Sequence, residues 1–153
     1  MLLPLPPVVV RNRSLKFHAC FATVRKGFGS AEHLAELASV MYIAWFLQHA
    51  GYGDLSLAQF RDAEQYMERA NQRGAETGTW FLDDEGYPFF ERILLLHDRQ
   101  LADAPAYAIV TAEDQLLRFI ASDAPSPLPP PAPDHLFAGT PVRCSRPPSG
   151  GNP

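Results

Sequence analysis

The sequence predicts an all-α protein: a single-domain bundle of about five helices with a proline-rich, disordered C-terminal tail. Three observations carry the prediction. Between about residues 12 and 122, apolar side chains recur at intervals of three and four, the period of helices buried along one face. Glycines and side chains suited to N-caps punctuate that pattern at helix-length intervals. No two alternating segments are joined by a hairpin turn. Hydrophobic residues make up 46% of the 153 residues, enough apolar material for one core without disulfides or metal.

The first helix is expected over about Asn12 to Lys26, with Ser14 as cap and a stripe of Phe17, Cys20, Phe21, Val24 and Phe28. Gly27 and Gly29 close it. Ser30 caps the second, Glu32 sits where the helix dipole favours a negative charge, and Gly51 ends it. Leu34, Leu37, Met41 and Trp45 form its main stripe, while Val40, Ile43, Phe46 and Leu47 fill much of the remaining circumference. Such a helix is central to a bundle or covered by another chain. Self-association as a two-fold dimer is therefore one expected partnership.

Ser56 and Gln59 have the capping-box spacing and start a third helix that runs to about Gly74 or Thr77. Leu57, Phe60, Ala63, Tyr66, Met67 and Ala70 give it an inner face; Arg61, Asp62, Glu64, Glu68, Arg69 and Arg73 give it a wet one. The link Trp80-Phe81-Leu82 must press its side chains into the bundle. Asp83, Asp84 and Glu85 are expected to complement the unpaired amides at the start of the fourth helix. That helix contains Phe89, Phe90, Ile93 to Leu96, His97 and Leu101. Pro105 suits the first turn of a fifth, which reaches about Ala121.

Most of the 15 prolines gather at the two ends. They divide the chain into an extended N-terminal arm over 1–11, the bundle over 12–122 and a tail over 123–153. Pro127 and Pro130 have PxxP spacing, and Leu136 and Phe137 form the bulky apolar pair of the tail. Charge is as uneven as proline. Arg11, Arg13, Lys16, Arg25 and Lys26 lie in an acid-free stretch ahead of Glu32, on a chain whose net charge is -4. Such a segment folds back on its own acidic body or holds an anionic partner such as nucleic acid. A pI near 5.7 argues against a large phosphate footprint.

Chemistry-bearing residues occur singly. Gly27-Phe28-Gly29 lacks the third glycine and the strand of a phosphate loop, and HExxH, CxxC and G-x-S-x-G are absent. His33 and Glu36 reverse the order of a carboxylate-bundle motif. His97 and Asp98, adjacent on a helix, point about 100° apart and cannot form a His–Asp dyad. His97 is expected instead to complement the dipole near a helix C-terminus. No cofactor or metal is expected. Cys20, on the apolar stripe, reads as an inert thiol. The start of the chain lacks the features of a signal peptide, and no apolar run approaches the roughly 20 residues of a membrane span. The cytoplasm is the expected compartment.

Four pieces of punctuation resemble a group of small uncharacterised helical proteins of proteobacterial genomes, some labelled Fis-type regulators. They are Lys26-Gly27, Ala50-Gly51-Tyr52-Gly53, Thr77-Gly78-Thr79-Trp80 and His97-Asp98-Arg99-Gln100-Leu101. The resemblance covers about residues 15 to 120 and implies a helical fold without a defined activity. A Fis-type protein ends in a basic helix-turn-helix, whereas this chain ends in proline, so that label does not carry over. The expected function is a non-enzymatic helical interaction protein, a regulatory or accessory factor that binds another macromolecule. Two alternatives stand beside it: a small-ligand or enzymatic site between helices using Trp80 and His97, and nucleic-acid binding through the basic segment.

Overall fold

Apolar residues spaced at three and four form five helices. The computed structural model describes residues 3–130. It contains α1 (Pro7–Arg25), α2 (Ala31–His49), α3 (Leu57–Thr77), α4 (Tyr87–Asp103) and α5 (Ala106–Ile120). Among the described residues the only β-type pairings are two isolated antiparallel bridges, Pro4 with Pro105 and Gly29 with Trp80. α2 is the hub, packed against all four other helices; α4 also packs on α1 and α3, whereas α5 packs chiefly on α2. No helix of the described residues is long and apolar enough to cross a membrane.

Local chemistry sets most boundaries. Ser30 accepts from the His33 amide at the start of α2. Ser56 and Gln59 complete a reciprocal capping box on α3, and Gly78 ends that helix at φ 73°, a conformation costly for residues with a Cβ. Two boundaries differ from the sequence expectation. α1 begins at Pro7 rather than Asn12, so residues 7–11 are helical and not an extended arm, and Ser14 lies inside the helix. Proline at the first helical position lacks only an amide that would be unpaired anyway, and its fixed φ suits the helix. At α4 the N-cap is Gly86, with no acid in the first turn. Asp83 is instead drawn to Arg73, which also donates to the Phe81 carbonyl at 3.0 Å. Arg73 thereby leaves the wet face assigned to it.

The core has two parts. The larger gathers Phe21 and Val24 of α1 with Leu34, Leu37 and Met41 of α2, Phe60 and Met67 of α3, and Phe90 and Ile93 of α4. The smaller joins Ile43 and Leu47 of α2 to Leu101, Ile109, Ala112 and Leu116. Leu34, Leu37, Val40, Met41, Ile43 and Leu47 are all buried within the one chain. Trp45 and Phe46 are half-buried, so α1, α3, α4 and α5 cover most of the apolar circumference of α2. Phe28, placed on the inner stripe of α1 by its spacing, is 77% exposed because α1 has already ended at Arg25.

Both ends of the described segment are tied down. The Ala106 amide donates to the Leu3 carbonyl at 2.9 Å. At the other end, Leu128 is only 8% exposed and joins the larger core, so residues 123–130 do not leave the body as a free tail. The remainder of the predicted tail, with Leu136, Phe137 and Cys144, lies outside the described residues.

Candidate functional site

The basic N-terminal residues lie along α1, and three of the five meet partners on the body. Arg13 pairs with Glu113 of α5, Lys16 with Glu36 of α2 at 2.8 Å, and the Arg25 guanidinium sits over the Tyr87 ring at 5.4 Å. Arg11 and Lys26 are exposed and have no ion-pair partner among the described residues. They stand about 22 Å apart along the helix, at 1.5 Å per residue. Two of the five thus tie α1 to carboxylates of α5 and α2, and a third rests on an aromatic ring at the start of α4.

Trp80 and His97 are held in different places. Trp80 lies across Gly74 of α3 and bridges to Gly29. His97 is 3% exposed inside α4, edge-on to Phe17 with ring centroids 5.5 Å apart. Its Nδ1 stands 3.4 Å from Gln100 Oε1. An amide oxygen only accepts, so Nδ1 carries the proton. The Gln100 amide nitrogen donates to the carbonyls of Ala44 at 2.9 Å and Tyr52 at 2.6 Å, tying α4 to the end of α2. Burial pushes His97 down to about 4, against smaller upward contributions from Gln100 and Asp98. It is neutral near pH 7, which removes the dipole-partner role expected for it. Asp98 turns instead to His18 of α1, at 2.8 Å.

Beside this network a cleft of about 360 Å³ opens between the α2–α3 loop and the end of α4. Tyr52, Asp54, Arg99, Gln100 and Asp103 supply its polar groups, and Asp54 and Arg99 stand 3.5 Å apart. The Gln100 amide is already committed on both sides and offers the cleft no free donor. Neither Trp80 nor His97 lines it. Among the described residues no three His, Cys, Asp or Glu side chains are grouped to hold a metal ion. Burial, with a smaller contribution from Glu36, raises the Cys20 thiol, which keeps it protonated and weakly nucleophilic.

Two surface features were not anticipated from the sequence. The first is the outer side of α5. Ala108, Ile109, Ala112 and Leu116 turn inward, while Tyr107, Val110, Leu117 and Ile120 remain exposed, the last two at 63%. Asp114 interrupts the outward stripe. The spacing of 107, 110, 114 and 117 signals this face, once α5 is seen to have essentially one neighbour. The second is the seating of residues 125–130 on α3, where Arg61 Nη2 donates to the Pro129 carbonyl at 2.6 Å. Beneath it, Glu64 accepts from the Tyr42 hydroxyl at 2.8 Å and so is not the free surface acid its position suggested.

No family model, curated protein or solved structure matches this chain.

Proposed function

We propose that this chain is a non-enzymatic helical interaction protein that binds another protein through the outer side of α5. The observation that carries the reading is the exposed line Tyr107, Val110, Leu117 and Ile120 on a helix with chiefly one neighbour. Single exposed apolar residues are ordinary on a protein surface. Four along one helix, on either side of Asp114, make an apolar contact surface. Asp114 within that line has no ion-pair partner among the described residues. It favours an occupant that brings a cation: an amphipathic helix with an apolar stripe and one lysine or arginine.

Site-specific photo-crosslinking in the native host tests this. Crosslinkers at Val110 and Leu117 should trap one discrete protein, through a basic apolar helix, and a crosslinker at Glu76 should not. Absence of a discrete adduct, or an adduct consisting only of a second copy of this chain, overturns the reading. The nucleic-acid alternative receives less support from the charges, because Arg13, Lys16 and Arg25 are already engaged.

A further inference from the structure

After α5 the chain turns back and lays Pro125 to Pro130 along α3. The contact combines one core-packed side chain with the chemistry of peptide recognition. Proline has no backbone N–H, so a proline-rich strand offers its receptor only carbonyls and side chains. Recognition then needs a donor for a carbonyl and a pocket for a bulky residue. Both are present. Arg61 donates to the Pro129 carbonyl, and the Leu128 side chain enters the core between flanking prolines. The Leu128 amide is satisfied within the strand by Ser126 Oγ at 3.0 Å. One buried side chain, the half-buried Ser126 and Pro127 and one long-range hydrogen bond hold the segment, and no regular secondary structure anchors it.

The seat is also larger than its occupant. A cleft of about 610 Å³ remains where the strand meets Arg61, Asp62, Gln65 and Glu68. A second, of about 430 Å³, continues over Ala38, Tyr42 and Asn71. Asp62 and Glu68 on its rim have no ion-pair partner among the described residues. The bound segment, Pro125 to Pro130, carries no charge with which to meet them. A ligand that adds a basic residue to the same proline-leucine pattern would complement the groove better than the segment now in it.

We infer that the α3 face bounded by Arg61, Glu64 and Glu68 is a docking site for a Pro-Leu-Pro-Pro segment of a partner protein with a flanking lysine or arginine, and that residues 125–130 occupy it as an intramolecular competitor. This surface is separate from the outer side of α5, so the two readings stand or fall independently. The apparent affinity for an outside peptide is the intrinsic affinity multiplied by the fraction of time the segment is unseated. Local opening at such a lightly held segment is the step that admits the partner.

The test uses the full chain and a fluorescein-labelled peptide, Ala-Pro-Ser-Pro-Leu-Pro-Pro-Lys, followed by anisotropy. Leu128→Asp, which unseats the strand, should bind the peptide about tenfold or more tightly than wild type. Adding Arg61→Ala should abolish that gain, and a peptide with aspartate in place of leucine should not bind. Equal affinity of folded Leu128→Asp and wild type overturns the proposal, as does binding indifferent to Arg61. Hydrogen exchange on the wild-type chain gives a reading that does not depend on the variant folding. Saturating peptide should accelerate exchange of the Leu128 amide; unchanged exchange overturns the proposal.

Discussion

The indole of Trp80 lies so close across Gly74 that a Cβ on that glycine would overlap ring carbons Cδ2, Cε3 and Cζ3. A helical glycine is ordinarily about 1 kcal/mol worse than alanine. Here it lets a loop tryptophan lie flush on α3. Gly74→Ala gains helix propensity but must expel the ring, and overpacking of this kind costs about 1–3 kcal/mol. Net destabilisation is expected, with a shift of Trp80 fluorescence toward that of a wetter indole. Fluorescence in a Trp45→Phe background, with thermal melting, checks both. A higher melting temperature with unchanged emission would mean the ring is not held there.

His97 sets a pH dependence. Its folded value of about 4 lies below the ordinary 6.5, chiefly through burial. Between those values the unfolded chain binds a proton that the folded chain refuses, so stability is complete above about 6.5 and falls as pH drops toward 4. The gap corresponds to a loss of about 3 kcal/mol. His97→Asn, which keeps a donor near the Nδ1 position, should flatten this part of the stability–pH curve. An unchanged slope in that variant would place the titrating group elsewhere.

Leu128→Ala should cost about 2 kcal/mol, toward the low end for buried leucines because the site lies at the rim of the core. Denaturant unfolding measures it. A change within experimental error would show that the strand contributes nothing to the fold.

Arg13→Gln and Lys16→Gln should each cost under about 1 kcal/mol, since both pairs are partly solvated. The loss should shrink as salt is added. Titration with labelled DNA and RNA at low salt gives the matching functional readout, and no binding by wild type is expected.

Replacing Arg73 removes three interactions at once: its bond to the Phe81 carbonyl, its pairing with Asp83, and the guanidinium stacked 4.3 Å from the Phe81 ring centroid. Arg73→Ala should lower stability by about 2 kcal/mol. Arg73→Lys should restore only part of it, because an ammonium lacks the planar fork. Full rescue by lysine would reduce the contact to simple charge.

Short-range chemistry was legible in the sequence. Ser30 and the Ser56–Gln59 box announce their boundaries because each acts on amides a few residues away. The pressing of Leu82 into the core was likewise readable, since three large apolar residues in a short link have nowhere else to go. What was not legible depends on residues distant in the chain. Asp83 looks like a helix-start acid until Arg73 lies beside it. Leu128 looks like linker until α3 supplies its pocket and Arg61 its donor. For the candidate sites, periodicity assigns Tyr107, Val110 and Leu117 to a helix. It does not reveal that α5 has chiefly one neighbour. Trp80 and His97, joined by residue type alone, are separated by the fold.

The central place of α2 has a consequence during synthesis. It is the second helix to leave the ribosome, yet Ile43 and Leu47 are covered in part by α5, the last. At roughly 5–20 residues per second, the intervening stretch of about 70 residues keeps that apolar surface open for several seconds. The nascent chain therefore passes through a stage in which its most hydrophobic helix is only partly wrapped. Interruption of translation before α5 emerges would leave an aggregation-prone fragment rather than a smaller stable bundle.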